Sequence, residues 1–368
     1  MKISFVIPSL PPTYAGGSLR LLRQAQYFSK EHEIKIITCT SGYDKRAEYV
    51  FINKGYLKGD NIFSRSVNKL VSFVRIFIHF AFNRPNIVHL VNSTSALSFQ
   101  SIIASKILRI KIINSCTLYG TDDPLTIKAN SLLKYIYFEL PNAVVANSPQ
   151  LYDVCYETIS RKGSSYMIPN PVNTDFFLKP NDNNKSGNIE LLTVSVVNNR
   201  KNVLNLVKAI SGILRRFENV NLTVVGPHSR DLEEQSYFEK LKTYIKQNDL
   251  TDKIRFVGQV DDVRSYYFDS DIFVFYSTNE GMPNAILESL SCSLPVVCKE
   301  IKGVTDFILS EGGGVSAKND EEFKSSLIGL IESEETRKSI AMDARKNIID
   351  NFSRNKIYKR YLELYREV

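Results

Sequence analysis

The sequence predicts an α/β protein built from two doubly wound parallel sheets. Three observations carry that expectation: a length of 368 residues, short β-branched runs alternating with helix-period segments, and one polar break at 179–188 without apolar periodicity. Single cores stop growing at about 250 to 300 residues, so a chain of this length divides in two. Strands alternating with helices read as parallel sheets covered on both faces.

In the first half, strands are expected over 3–7, 34–38, 87–90, 111–114 and 143–146, with helices over 19–29 and 96–108. The stretch KPNDNNKSGN at 179–188 gathers Pro, Asn, Asp, Ser and Gly and reads as the linker. The pattern restarts with strands over 189–197, 222–225, 254–257, 272–276 and 295–298, and helices over 203–217 and 233–248. The expected division is a first domain at 1–178, the linker, a second domain at 189–352 and a last helix at 353–368. Open α/β sheets bind ligands outside the carboxyl ends of their strands, so two such domains facing each other place an active site in the cleft between them.

A hydrophobic fraction of 43% and a charged fraction of 23% exclude a disordered chain. The start, MKISFVIPSL, lacks the apolar core and cleavage site of a signal peptide, and no apolar run reaches the ~18 residues of a spanning helix. A cytoplasmic location is expected. Cys39, Cys116, Cys155, Cys292 and Cys298 are scattered and read as reduced packing residues, with no metal-ligand spacing among them. The net charge of +8 favours an anionic partner, whether phosphate ligand, anionic lipid or nucleic acid. No zinc spacing, RNP-like run or Arg-rich helix supports nucleic acid. Around 68–84, Leu70, Val71, Phe73, Val74, Ile76, Phe77 and Ile78 are interspersed with Lys69 and Arg75, and Arg84 follows. Two readings are open for it: peripheral contact with an anionic membrane, or a helix packed on the sheet with a basic outer edge.

The segment IFVFYSTNEGMPNAILESLSCSLPVVC at 272–298 reads as strand, polar loop, helix and strand. Pro283 is expected at the first helical position, where its missing N–H costs nothing. The helix then opens at the loop, and its free N–H groups and positive dipole end suit a diphosphate. Glu280 lies before the helix and Glu288 about a turn and a half inside it, so both project to one side at different depths. A carboxylate matches the paired hydroxyls of a ribose. Either glutamate alone reads better as a helix-end or solvated charge.

Together, Glu280 and Glu288 with Gly281, Pro283 and Asn284 between them resemble the E-x7-E segment of the retaining GT-B glycosyltransferases of family 4, the glycosyl transferases group 1. PNPVNTDFF (169–177), LLTVSVVNNRKNVLNLVKAI (191–210), LTVVG (222–226) and IRFVGQV (254–260) extend the resemblance along nearly the whole chain. It implies two Rossmann-like domains, the first for the acceptor and the second for a nucleotide-sugar, with the last helix returning to the first. It implies that Glu280 contacts the donor sugar and Glu288 the ribose, while Gly281, Met282, Pro283 and Asn284 hold sugar and phosphate, Pro283 without an N–H. Gly258, Gln259 and Val260 would border the nucleobase.

Arg200 and Lys201 stand where the family places a lysine on the donor diphosphate, and two cations there would stabilise the charge developing on the leaving group. Ser195–Val196 departs from the family's Gly-Arg, and Arg200 is the expected substitute. Gly16 and Gly17 match the family's Gly-Gly loop over donor phosphate and acceptor, and paired glycines permit an anion nest. In CTLYGTDDP (116–124), Tyr119 replaces the family's histidine. A phenol is a poor base near neutral pH, so the donor's own phosphate oxygen is expected to take the acceptor proton on the same face. Asp122 is a candidate for the acceptor hydroxyl, whereas Asp123, before Pro124, reads as a helix cap. His89 reads as structural, and Arg230, beside His228, ranks low as a phosphate contact because loop arginines usually face water.

The function implied is retaining transfer of a hexosyl unit from a UDP- or GDP-sugar to a glycan or lipid-linked saccharide in cell-surface polysaccharide assembly, with neither cofactor nor metal. Two alternatives stay open: a nucleotide-sugar epimerase of the same fold, and a non-catalytic nucleotide-sugar-binding scaffold, the latter motivated by Val196 and Tyr119.

Overall fold

The computed structural model describes residues 1–8, 10, 16–39, 48–51, 62–91, 95–130, 132–161, 163–180, 187–228 and 232–368. The chain forms two units, Met1–Pro169 with Tyr358–Val368, and Asn170–Ile357. The division falls at Pro169 rather than in the polar stretch, because 170–177 pack on the second unit. Val172 N donates to Phe352 O at 2.9 Å, and Phe177 lies edge-on to Tyr267. Residues 181–186 of the expected linker lie outside the described residues.

The first unit runs β1 (Lys2–Val6), α1 (Gly16–Phe28), β2 (Glu33–Thr38), β3 (Glu48–Phe51), α2 (Ile62–Asn83), β4 (Ile87–Val91), α3 (Ala96–Ile107) and β5 (Lys111–Cys116). It continues with α4 (Pro124–Asn130), α5 (Leu132–Glu139), β6 (Ala143–Ala146), α6 (Pro149–Thr158) and β7 (Ser165–Met167). Its seven strands are ordered β3-β2-β1-β4-β5-β6-β7 and pair in parallel. Central strands such as β4 (IVHLV) are buried along their whole length, as both-face coverage requires. Helix α2 packs on this core through Ile76 and Phe80. The sheet-packed reading of 68–84 therefore holds for one side of the helix; its other side is exposed.

The second unit runs β8 (Ile189–Val194), α7 (Val203–Arg216), β9 (Val220–Val225), α8 (Leu232–Gln247), β10 (Ile254–Gly258), α9 (Arg264–Asp269) and β11 (Ile272–Phe275). It continues with α10 (Asn284–Ser291), β12 (Val296–Lys299), α11 (Thr305–Ile308), β13 (Gly314–Ala317), α12 (Asp320–Glu332) and α13 (Glu334–Asn351). Its six parallel strands are ordered β10-β9-β8-β11-β12-β13. The last helix, α14 (Arg354–Glu367), has Tyr358 onward grouped with the first unit. There Tyr361 Oη accepts from Arg20 at 2.8 Å and Tyr365 Oη from Gln24 at 3.0 Å.

Both strand orders reverse direction once, between β1 and β4 and between β8 and β11. Loops leaving such adjacent strands diverge to opposite faces and open a crevice at the carboxyl ends, which is where α/β sheets bind ligands. The edge strands β3, β7 and β13 escape sequence reading because three or four residues are too few to display a pattern.

Candidate active site

In the second unit the switch point lies between β8 and β11, and the loops leaving these strands are sewn together. Arg200 O accepts from Thr278 N at 3.0 Å and from Ser277 Oγ at 3.1 Å. Asn198 Oδ1 accepts from Lys201 N at 2.9 Å, a local turn that fixes the approach to α7. The side chains converge on one carboxylate. Glu280 Oε1 accepts from Arg200 Nη1 at 2.8 Å, Lys201 Nζ at 2.5 Å and Ser277 Oγ at 2.7 Å. Glu280 is only 6% exposed, and two cations face one anion, so the cluster carries excess positive charge at the strand ends. Burial lowers the pKa of Lys201; Glu280 pulls it the other way and Arg200 adds to the lowering.

Helix α10 begins at Asn284, one residue later than expected, with Pro283 at the cap. Pro283 has ψ 107°, an extended value that leaves it outside the helix. Gly281, Met282 and Pro283 are buried and Asn284 half-buried. Asn170 anchors this loop: its Nδ2 donates to Met282 O at 3.1 Å and to Asn284 Oδ1 at 3.0 Å. Glu288 is half-buried on α10, and Tyr267 Oη of α9 donates to its Oε2 at 3.2 Å.

Gly258 ends β10, two strands from β8, and its carbonyl accepts from Gly226 N at 2.8 Å. Gln259 is exposed and Val260 packs on the core of this unit. Gly226 has φ 142°, and a Cβ there would lie 2.0 Å from Ser195 O, so only glycine lets β9 end against the loop that leads to Arg200.

In the first unit Gly16 and Gly17 are the first two residues of α1. A Cβ on Gly17 would lie 3.2 Å from Val91 Cγ2 and 3.6 Å from Thr117 Oγ1, so the helix start is pressed against the carboxyl ends of β4 and β5. Tyr119 is half-buried and packs against the core. Asp122 departs from the expectation of a group offered to an acceptor hydroxyl. It is 4% exposed, and it accepts from Thr117 Oγ1 at 2.6 Å, Leu118 N at 2.7 Å and Thr117 N at 3.0 Å. Burial raises its pKa against these hydrogen bonds, and its work is to fix the loop. Asp123 caps α4, accepting from Thr126 N at 2.9 Å.

His89 lies in the middle of β4, fully buried, with Nδ1 2.6 Å from Tyr365 Oη and Nε2 2.9 Å from Ser115 Oγ. Burial, and secondarily Arg20, push its pKa well below the usual histidine range. His228 stacks on Phe238 at 4.7 Å, and Arg230 lies outside the described residues. All five cysteines are free, and among the described residues no three His, Cys, Asp or Glu side chains converge as metal ligands.

Residues 175–347, which hold Arg200, Lys201, Glu280 and Glu288, match the family profile of the glycosyl transferases group 1. The match covers just under half of the chain, all of it in the second unit. A phosphatidylinositol N-acetylglucosaminyltransferase component of Arabidopsis thaliana is 26% identical over 229 residues, 60% of this chain and 49% of that protein, so the match spans about half the relative's length. The amylovoran biosynthesis glycosyltransferase AmsD of Erwinia amylovora is 25% identical over 285 residues, 74% of this chain and 76% of its own. The crystal structure of Anabaena HepE in complex with UDP superposes with a TM-score of 0.82 over the whole of both chains at 18% identity, a likeness of GT-B fold.

Two residues of the candidate site escaped sequence reading. Asn170 stood in the PNPVNTDFF segment, which signalled a domain end and gave no sign of a contact 112 residues away. Tyr267 is one aromatic in RSYYFD, and nothing in that run distinguishes it from Tyr266.

Proposed function

We propose that this chain moves a hexosyl unit from a UDP- or GDP-sugar to a hydroxyl of a glycan or lipid-linked saccharide, with retention at the anomeric carbon. The convergence of Arg200 and Lys201 on Glu280 at the switch point of the second unit is the observation that carries this reading. As the bond from the anomeric carbon to the diphosphate breaks, negative charge gathers on the leaving oxygen, and the two cations stabilise it without a metal. Glu280 then accepts hydrogen bonds from the sugar hydroxyls, and Glu288 from the ribose diol. The acceptor oxygen bonds to the anomeric carbon on the face the diphosphate leaves, and its proton passes to the departing phosphate oxygen. No side-chain base is required, which is compatible with tyrosine at position 119.

The loop at Gly16–Gly17 is assigned to donor phosphate and acceptor, and the loop at Thr117–Pro124 to the acceptor. Relatives named for amylovoran biosynthesis and for lipopolysaccharide core biosynthesis support a surface-glycan product. The deciding experiment incubates the protein with labelled UDP- and GDP-sugars, with and without saccharide acceptors and with chelator present, and assigns the product's anomeric configuration by NMR. A retained linkage formed in chelator supports the reading. An inverted linkage contradicts retention; a sugar converted while still on nucleotide makes the protein an epimerase, and binding without turnover makes it a scaffold.

A further inference from the structure

Helix α2 has two apolar sides where its place on the sheet uses one. Ser72, Ile76 and Phe80 are buried. On the outer side Leu70, Val74, Ile78 and Phe82 follow at intervals of four, a step that advances only about 40° around a helix, so they form one winding strip. They are 61%, 44%, 48% and 86% exposed. Val67, Val71 and Ala81 fill the same arc, half-buried, and among the described side chains no polar one interrupts it. Single exposed apolar residues are ordinary; a continuous strip of them marks a surface that meets something.

Charge selects the partner. Helix α2 contains no Asp or Glu, its exposed cations among the described side chains are Lys69 and Arg75, and Arg84 follows at its end. Beside the helix, Glu48 is paired with Lys35 at 3.2 Å. A second copy of the chain, docked across a two-fold axis, would bring these cations against their own like. Acyl chains beneath a layer of negatively charged headgroups complement both features at once. No helix among the described residues is long and apolar enough to cross a membrane, so contact would be lateral.

We infer that α2 is a docking surface for an anionic lipid bilayer, lying in the interface plane with Leu70, Val74, Ile78 and Phe82 at the acyl boundary. The inference deepens the reading of a lipid-linked acceptor met at a membrane, but the binding itself needs no donor and no turnover. Its failure would leave the donor site untouched.

The test is flotation of the full chain with vesicles of phosphatidylcholine alone or mixed with phosphatidylglycerol. The wild type should float with the mixed vesicles only, and less in high salt, where the screening length falls from about 10 Å at 0.1 M to about 3 Å at 1 M. Ile78→Ser with Phe82→Ser should lower partitioning about tenfold or more. Lys69→Glu with Arg75→Glu should lower it by about fivefold or more per residue. Both variants should keep the wild-type melting shift with nucleoside diphosphates, which shows that they fold. Wild type that stays off mixed vesicles, or variants that float as well as wild type, would overturn the inference. So would a dimer in sedimentation that Ile78→Ser and Phe82→Ser dissolve without loss of flotation.

Discussion

Lys201 Nζ lies 2.5 Å from Glu280 Oε1, in a cluster where Arg200 competes for the same oxygen. Replacing Glu280 by Gln leaves both cations without their acid, so nucleoside diphosphate should bind as well as before or better. Turnover should fall by about 10²-fold or more, since the sugar hydroxyls exchange a charged acceptor for a neutral amide with one accepting oxygen instead of two. Calorimetry and steady-state rates on this variant separate the two effects; equal loss of both would count against the assignment. Lys201 also loses its proton below the usual lysine range, because burial disfavours the charged form. Diphosphate affinity should therefore decline as pH rises through that value, and Lys201→Arg should move the decline to higher pH.

Asn170 holds Met282 O and Asn284 Oδ1 through a single amide nitrogen. It is a positioning residue for the loop that precedes α10. Asn170→Ala should lower kcat with little change in KM, leaving a stable protein with a misplaced loop. Asn170→Asp should be worse, since a buried carboxylate would face two oxygens and supply no donor. A melting temperature that falls while kcat is preserved would reduce Asn170 to a packing role.

Two glycines of the second unit should respond in opposite directions to alanine. At Gly226 the new Cβ would meet Ser195 O at 2.0 Å in a backbone with φ 142°, so the variant should lose several kcal/mol, on the order of 3 or more, and the donor loop its place. Gly212 lies exposed within α7 with no atom near its would-be Cβ, so Gly212→Ala should gain about 0.5–1 kcal/mol. Urea unfolding measures both.

His89 links stability to pH. In the unfolded chain its imidazole takes a proton near pH ~6.5, whereas in the fold, burial keeps it neutral to much lower pH. Below that point the unfolded state binds more protons, so stability is lost as pH falls, by roughly 1.4 kcal/mol per pH unit from this group. His89→Gln should be less stable at pH 7.5 yet show a shallower decline towards pH 5. Parallel declines in the two proteins would exclude His89 as the cause.

Much of the candidate site's local geometry was legible: Glu280, Pro283 and Glu288 fall within one strand–loop–helix unit, and their spacing survives folding with a one-residue shift in the helix start. Arg200 and Lys201 join them because β8 and β11 are neighbours, which the alternating pattern implies without naming the contact. Asn170 and Tyr267 were invisible because their roles come from distant chain segments meeting. The loop contacts of Asp122 were hidden for a related reason: they are backbone N–H groups and the Thr117 hydroxyl of its own loop, a local fold that residue type alone does not display. Apolar content at 68–84 left open whether the helix lies on the sheet or on a membrane, because which residues turn outward is set by packing.

The most direct measurement is calorimetric titration of UDP, GDP and their sugars into the wild type and Glu288→Ala. One nucleoside diphosphate should bind the wild type and bind Glu288→Ala at least about tenfold more weakly, in line with the loss of charge-assisted hydrogen bonds to the ribose. Binding of neither nucleotide, or equal affinity in the two proteins, would contradict the assignment of this site to a nucleotide-sugar.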